Sequence, residues 1–233
     1  TNYGQVVWTS GSGTTWGWYG ASGARLENRP GGLLDVQLDG TFAVGSGTPV
    51  INNAGTFRKP AGGGAVTMTS FAFTNSGLVS VQAGSLTFGS GFTSSGTFDV
   101  TNGAAVSLTG GTFNFNPGHT FTGNGFYGVP GSGSATINGP IINTNFQLAG
   151  NLTITNELSG TLWWNSGQIN GALTVATDGS VNLVGAGAKY LFGAITNYGQ
   201  VVWTSGSGTT WYWYGASGAR LENRPGGLLD VQL

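Results

Sequence analysis

The sequence predicts an all-β protein, a right-handed parallel β-helix, on three observations: its composition, a long near-identical repeat, and a shorter repeat of turns and strands. The 233 residues include 45 Gly, no Cys and 6% charged residues, whereas ordinary globular domains have about 7% Gly and about 25% charged residues. Aromatic residues make up 12% of the chain, which gives it the apolar surface that disordered chains lack. We therefore expect the chain to fold.

The long repeat joins the two ends of the sequence. Residues 1–38 return as residues 196–233, an offset of 195, and Gly17 against Tyr212 is the single difference in 38 positions. Tandem duplication is the simplest cause. The sequence thus predicts one β-solenoid unit over residues 1–195 and the start of the next, nearly identical unit, within a longer array. A position that accepts both Gly and Tyr is expected on an exposed strand or loop.

The shorter repeat is a turn of the form Asn-x-Gly followed by a strand, and it predicts the coils of a solenoid. Successive turns lie 19 to 26 residues apart in the first half of the unit, which gives roughly nine coils per 195-residue repeat and a rise of about 43 Å. Asparagine tolerates the corner conformation, and its amide can hydrogen-bond the amide of the next coil. The candidate corner residues are Asn2, Asn28, Asn53, Asn75, Asn197 and Asn223.

Short strand-like segments fill the interval between these turns. Segments such as SLTF, AVSL and SVNL alternate in polarity with a period of two, and Gly, Ser and Asn separate them. This alternation is typical of β-strands and differs from the 3.6-residue period of a helix. Two or three such strands per coil are expected to stack in parallel, with alternate side chains pointing into one continuous core.

The segments FTNSGLVSVQAGSLTFGSG, SSGTFDVTNGAAVSLTGGTF and ITNYGQVVW resemble the repeats of very large secreted bacterial surface proteins, of the autotransporter-adhesin and filamentous kinds. The resemblance covers nearly the whole unit. It implies a right-handed β-helix that is exposed outside the cell, so the expected location is extracellular or at the bacterial cell surface. It carries over no catalytic residue.

The ionisable residues do not predict an enzyme. β-Helical polysaccharide lyases and glycosidases need acidic and basic groups clustered along one groove, and Asp35 and Asp39 are the one close carboxylate pair in the unit. They flank a strand and a turn, where a solvated or turn-stabilising role is expected. His119 is the single histidine and is expected in a surface loop. We therefore predict no catalytic, metal-binding or cofactor-binding residue.

An aromatic cluster is the feature that best suits binding. In a strand, the two tryptophans of TTWGWYG would share one face, with the tyrosine on the other. Such a platform can stack inside the core as a ladder, bind a sugar ring when exposed, or join neighbouring arrays side by side. The candidate platform residues are Trp16, Trp18 and Tyr19, with their repeats Trp211, Trp213 and Tyr214.

Charge and hydropathy exclude two classes of binding partner, nucleic acid and the membrane interior. The net charge of −1 gives no electrostatic surface for nucleic acid, and no apolar run approaches the 18 or so residues that cross a bilayer. An uncapped solenoid end can stack without limit, and we expect no cap in either repeated segment. The sequence therefore predicts a structural filament, stalk or surface fibre that assembles with itself. A carbohydrate-binding adhesin module is the alternative, and a polysaccharide-processing enzyme is the third hypothesis.

Overall fold

The computed structural model describes residues 1–9, 14–19, 23–37, 39–60, 64–142, 145–204, 211–213 and 218–232. All regular structure within these ranges is β-strand, in thirty short strands, β1 to β30, that pair in parallel. None of the described residues belongs to a helix that could cross a membrane. The predicted fold class is confirmed: the chain is a parallel β-solenoid.

Successive strands lie in turn on three faces of the solenoid, and each strand pairs with the strand one coil later. Gln5 pairs with Leu33 on the first face, for example, and Thr14 pairs with Gly40 on the second. The strands are only a few residues long because a polar or glycine-containing corner follows each of them. The three faces together enclose the core.

The first face begins with a six-stranded sheet: β1 (Gln5–Trp8), β4 (Leu33–Val36), β7 (Thr56–Lys59), β10 (Leu78–Val81), β13 (Thr97–Val100) and β16 (Thr120–Thr122). It continues through an isolated bridge at Ile141, then β21 (Glu157–Leu158), the C-terminal part of β23 (Gly167–Val175), β26 (Ala194–Asn197) and β29 (Arg220–Asn223). The coils remain in close contact where the sheet gives way to the isolated bridge. The backbone of Gly139 lies so near the His119 side chain that an added Cβ would be 2.7 Å from Cε1 of His119.

The other two faces are longer sheets. The second face contains β2 (Thr14–Tyr19), β5 (Gly40–Ser46), β8 (Ala65–Met68), β11 (Ser85–Phe88), β14 (Ala105–Leu108), β17 (Phe126–Val129), β19 (Phe146–Leu148), β22 (Thr161–Trp164), β24 (Ser180–Leu183), β27 (Gln200–Thr204) and β30 (Leu228–Gln232). The third face contains β3 (Arg25–Asn28), β6 (Val50–Asn53), β9 (Ala72–Asn75), β12 (Phe92–Ser94), β15 (Gly111–Phe115), β18 (Gly133–Ile137), β20 (Asn151–Ile154), the N-terminal part of β23, β25 (Lys189–Leu191) and β28 (Trp211–Trp213).

The core is one continuous column of inward-pointing apolar side chains, as the period-two alternation predicts. It runs from Leu34 to Val201. Its first part is aromatic: the rings of Phe92 and Phe98, for example, stack with centroids 5.4 Å apart. Beyond Phe146 the buried positions are mostly leucine, isoleucine and valine. The same backbone is thus filled in two ways, because each inward position needs only a suitable apolar volume.

Candidate functional site

A row of buried asparagines occupies the corner where the third face turns into the first. Strands β3, β6 and β9 end on Asn28, Asn53 and Asn75, and Asn2 lies just before β1. All four residues are at most 8% exposed. A polar side chain is stable at such a position only when its hydrogen-bonding groups find partners.

Those partners are the neighbouring asparagines. Nδ2 of Asn2 donates to Oδ1 of Asn28, Asn28 donates likewise to Asn53, and Asn53 donates to Asn75, each at 2.8 Å. The amide of Asn75 donates to Oγ of Ser94 at 3.1 Å. The amides of Asn2, Asn28 and Asn53 also donate to backbone carbonyls of the next coil; Nδ2 of Asn53, for example, donates to the carbonyl of Leu78 at 3.0 Å. We call this row, from Asn2 to Ser94, the asparagine ladder.

The glycine of each Asn-x-Gly turn stands in a second column beside the ladder. A Cβ on Gly77 would lie 2.2 Å from the carbonyl oxygen of Gly55, and one on Gly96 would lie 2.2 Å from that of Gly77. Neither Gly77 nor Gly96 has a positive φ. Glycine is therefore required at these two positions because successive coils approach closely, and not because the backbone there is left-handed.

The ladder stops where the core becomes most aromatic. Ser94 pairs in register with Phe115 of the next coil, so an aromatic ring takes the corner position. A second ladder of the same kind appears later, where Nδ2 of Asn197 donates to Oδ1 of Asn223 at 2.7 Å. This pair follows strands of the first face, so it lies at the corner between the first and second faces.

The predicted aromatic platform falls on residues that the structure describes only in part. Trp16, Trp18 and Tyr19 lie on β2, and Trp211 and Trp213 lie on β28; their side chains, and the whole of Tyr214, lie outside the described residues.

Tyr212, the single residue that differs between the two copies, is described. It is 44% exposed, as expected for that position, and its ring stacks on Tyr190 with centroids 5.1 Å apart.

The ionisable residues hold coils together. Asp35 is fully buried, which corrects the expectation of a solvated carboxylate. Arg58, one coil later, donates to both of its oxygens at 2.9 Å. These hydrogen bonds hold the pKa of Asp35 below its usual value. Oδ1 of Asp39 lies 3.5 Å from Nζ of Lys59, and the backbone N–H of Gly64 lowers the pKa of Asp39.

His119 is buried, so the expected surface position is wrong. Its side chain packs against the rings of Phe115 and Phe121, and Nδ1 lies 2.9 Å from the carbonyl of Asn116. The turn at Pro117 and Gly118 points the imidazole into the aromatic part of the core. Burial lowers the pKa of His119.

A shallow groove runs along the outside of the third face, beside the asparagine ladder. Its outward side chains are bonded to each other: Asn52 donates to Glu27 at 2.7 Å, and Thr74 donates to Asn52 at 2.5 Å. We call it the polar groove; it is lined mainly by Glu27, Asn52, Thr74, Thr93, Ser95 and Asn116.

Chemically, the described residues offer hydrogen bonds and no metal-binding group of three or more His, Cys, Asp or Glu. The arrangement is suited to holding coils in register and to presenting a polar surface. Comparison with protein-family models, with curated proteins and with solved structures finds no match for this chain.

Proposed function

We propose that this chain is part of a structural protein, an extracellular filament or stalk built from tandem β-solenoid units. The observation that carries the proposal is that both copies of the repeated segment make the same contacts between coils. Such a segment can accept a new coil in the same way each time it occurs. Stability then grows coil by coil through nearest-neighbour contacts, as in other solenoids.

The matching contacts are detailed. In the first copy, Arg29 N donates to Asn2 O at 2.9 Å and Leu33 N donates to Gly4 O at 2.8 Å. In the second copy, Arg224 N donates to Asn197 O at 2.9 Å and Leu228 N donates to Gly199 O at 2.8 Å. The asparagine pair that starts each copy is bonded in the same way, at 2.8 Å and 2.7 Å.

The two copies differ in what covers them. Leu34 and Val36 are fully buried, and β7 pairs with their strand. Their repeats Leu229 and Val231 are 42% and 47% exposed. We propose that a further coil, equivalent to β7 and its neighbours, covers Leu229 and Val231 in the array, because an apolar strand edge favours parallel addition.

The proposed location is the cell surface or the extracellular space. The low charge, the many glycines and the resemblance to secreted bacterial surface repeats support it. A solenoid of this kind keeps its backbone hydrogen bonds internal along its whole length, so one long chain can serve as a stalk. The proposed partner is the protein itself, through tandem units or head-to-tail contact.

Electron microscopy of the native material tests the proposal. We expect continuous fibres whose power spectra have a meridional reflection near 4.8 Å, the spacing of stacked strands. Short discrete rods without end-to-end continuity would contradict the filament.

The polar groove supports a second candidate, a carbohydrate-binding adhesin module, because its amides, hydroxyls and carboxylate are groups that bind sugar hydroxyls. A glycan-array screen with the Asn116→Ala variant as control tests this. Binding that is weakened by the substitution would favour the adhesin. If the protein binds none of the arrayed glycans, the adhesin hypothesis is rejected.

A further inference from the structure

The two copies of the repeated segment lie on different faces of the solenoid. The strand Gln5–Trp8 is β1 on the first face, whereas its repeat begins β27 (Gln200–Thr204) on the second face. Likewise, Arg25–Asn28 is β3 on the third face, whereas its repeat Arg220–Asn223 is β29 on the first face. Each described strand of the second copy is one face further round than its counterpart.

The number of strands in one unit explains this displacement. From β1 to β26 there are 26 strands; Ile141 adds one strand position, and β23 occupies two, which makes 28. Nine coils of three strands use 27 positions, so one position remains. The 195-residue unit therefore contains nine and one third coils, close to the nine that the sequence predicts.

The contacts between coils tolerate the displacement because every face offers the same parallel ladder. The first copy forms its asparagine pair, Asn2 with Asn28, at the corner between the third and first faces. The second copy forms the equivalent pair, Asn197 with Asn223, at the corner between the first and second faces. The asparagine pair has moved by one corner, and the hydrogen bond that joins its two amides is kept.

We propose that each 195-residue unit of the array is rotated by one face relative to the unit before it. This inference rests on the proposed tandem array. A given surface of the unit then returns to the same side of the solenoid only in every third unit. With strands about 4.8 Å apart, one unit rises about 45 Å and the full pattern repeats after about 135 Å. Any twist of the stacked sheets adds to the rotation.

The rotation determines which sides of the fibre carry the polar grooves and are available to binding partners. In an unrotated array, the polar groove of every unit would lie on one side, and the fibre would have one functional side. In the rotated array, successive grooves point in three directions. Lateral contacts with other fibres, or contacts with a surface ligand, then form on all three sides.

Distances between spin labels test the rotation within the 233-residue chain. The chain has no cysteine, so labels can be attached at chosen sites. One label is placed at Val202 on β27, and the other at Asp99, Ser107 or Asn114, which lie on the three faces of one coil. Five coil steps on the second face separate Ser107 from Val202, or about 24 Å.

Double electron–electron resonance should give the shortest distance for the label pair Ser107 and Val202, because both residues lie on the second face. The shortest distance for Asp99 with Val202 would place β27 on the first face and overturn the proposal. A second series with the fixed label at Thr196 on β26 controls for any distortion that the label at Val202 causes. With that anchor, Asp99 should be closest, whereas Asn114 is closest in an unrotated unit.

Native fibres test the same inference at the level of the array. A rotated array should give off-meridional layer lines at about 1/135 Å and its first meridional repeat at about 1/45 Å. Layer lines restricted to orders of about 1/45 Å would contradict the rotation. An absence of fibres would instead contradict the proposed function, and the label distances would still measure the rotation.

Discussion

The first copy of the repeated segment, residues 1–38, and the second copy, residues 196–233, share a sequence and hydrogen bonds but not an environment. The first copy has a coil packed on it, and Leu34 is fully buried; Leu229, its repeat, is 42% exposed. The first copy starts on the first face, the second copy on the second face. Local sequence therefore sets the contacts between coils, while the neighbouring coil sets burial and the strand count sets the face.

The largest expected effect comes from the apolar position that differs most in burial. Leu34→Ala leaves a cavity under β7 and should lower the free energy of unfolding by about 2–5 kcal/mol. The matched variant, Leu229→Ala, removes an exposed side chain and should cost less than about 1 kcal/mol. Urea denaturation of both variants measures the difference. Equal losses would show that the two copies are equally covered.

The ladder gives the next largest effect. Asn28 accepts from Asn2 and donates to Asn53, so Asn28→Ala removes the acceptor of one Asn2 amide proton and the donor to Oδ1 of Asn53, and should cost about 1–3 kcal/mol. Asn223→Ala affects an exposed residue and should cost less than about 1 kcal/mol. The same denaturation experiment compares them. A loss for Asn223→Ala as large as that for Asn28→Ala would contradict this interpretation of the ladder.

Acid should separate the two copies through Asp35. The hydrogen bonds from Arg58 hold the pKa of Asp35 below the ordinary 3.8. Near that pH the Asp35 side chain is therefore protonated less often in the folded state than in the unfolded state. Its stabilisation is present above pH 3.8 and is lost as the pH falls through the lower folded pKa. Asp35→Asn should flatten this part of the stability profile.

Asp230, the repeat of Asp35, provides the matched control for the Arg58 contact. Within the described residues its side chain accepts a hydrogen bond from Gln232 and is joined to no arginine of a later coil. Asp230→Asn should change the unfolding free energy at pH 7 by less than about 1 kcal/mol. A loss at pH 7 as large as that of Asp35→Asn would show that the arginine contact is not what stabilises the first copy.

The smallest expected effect concerns the one position where the copies differ. Tyr212 stacks on Tyr190 at 5.1 Å with nearly parallel rings, and such a pair is worth about 0.5–1.5 kcal/mol. A double-mutant cycle with Tyr190→Ala and Tyr212→Ala should give a coupling energy of that size. Additive effects of the two substitutions would mean that the stack stabilises nothing.

The sequence predicts the coils well because their determinants are local. Each Asn-x-Gly turn marks a corner, and period-two alternation identifies inward residues such as Leu86 and Val106. The face of each strand could not be predicted, since one coil crosses the first face with a bridge at Ile141 and one strand, β23, bends across two faces.

The side-chain contacts between coils could not be predicted from the sequence either. Asp35 and Arg58 are 23 residues apart, and their pairing depends on a register that corners of variable length decide. His119 looked like a loop residue because its neighbours Gly118 and Thr120 are typical of turns, and the aromatic rings that bury it come from other strands.

Amide hydrogen exchange, resolved by NMR, tests whether the second copy forms the same hydrogen bonds between its own coils as the first copy does. Peptides from the two copies are too similar to separate by mass, so single amides are needed. We expect strong protection at Arg224 and Leu228, which donate to Asn197 and Gly199, as at Arg29 and Leu33. Rapid exchange at Arg224 and Leu228, with protection at Arg29 and Leu33, would contradict this expectation.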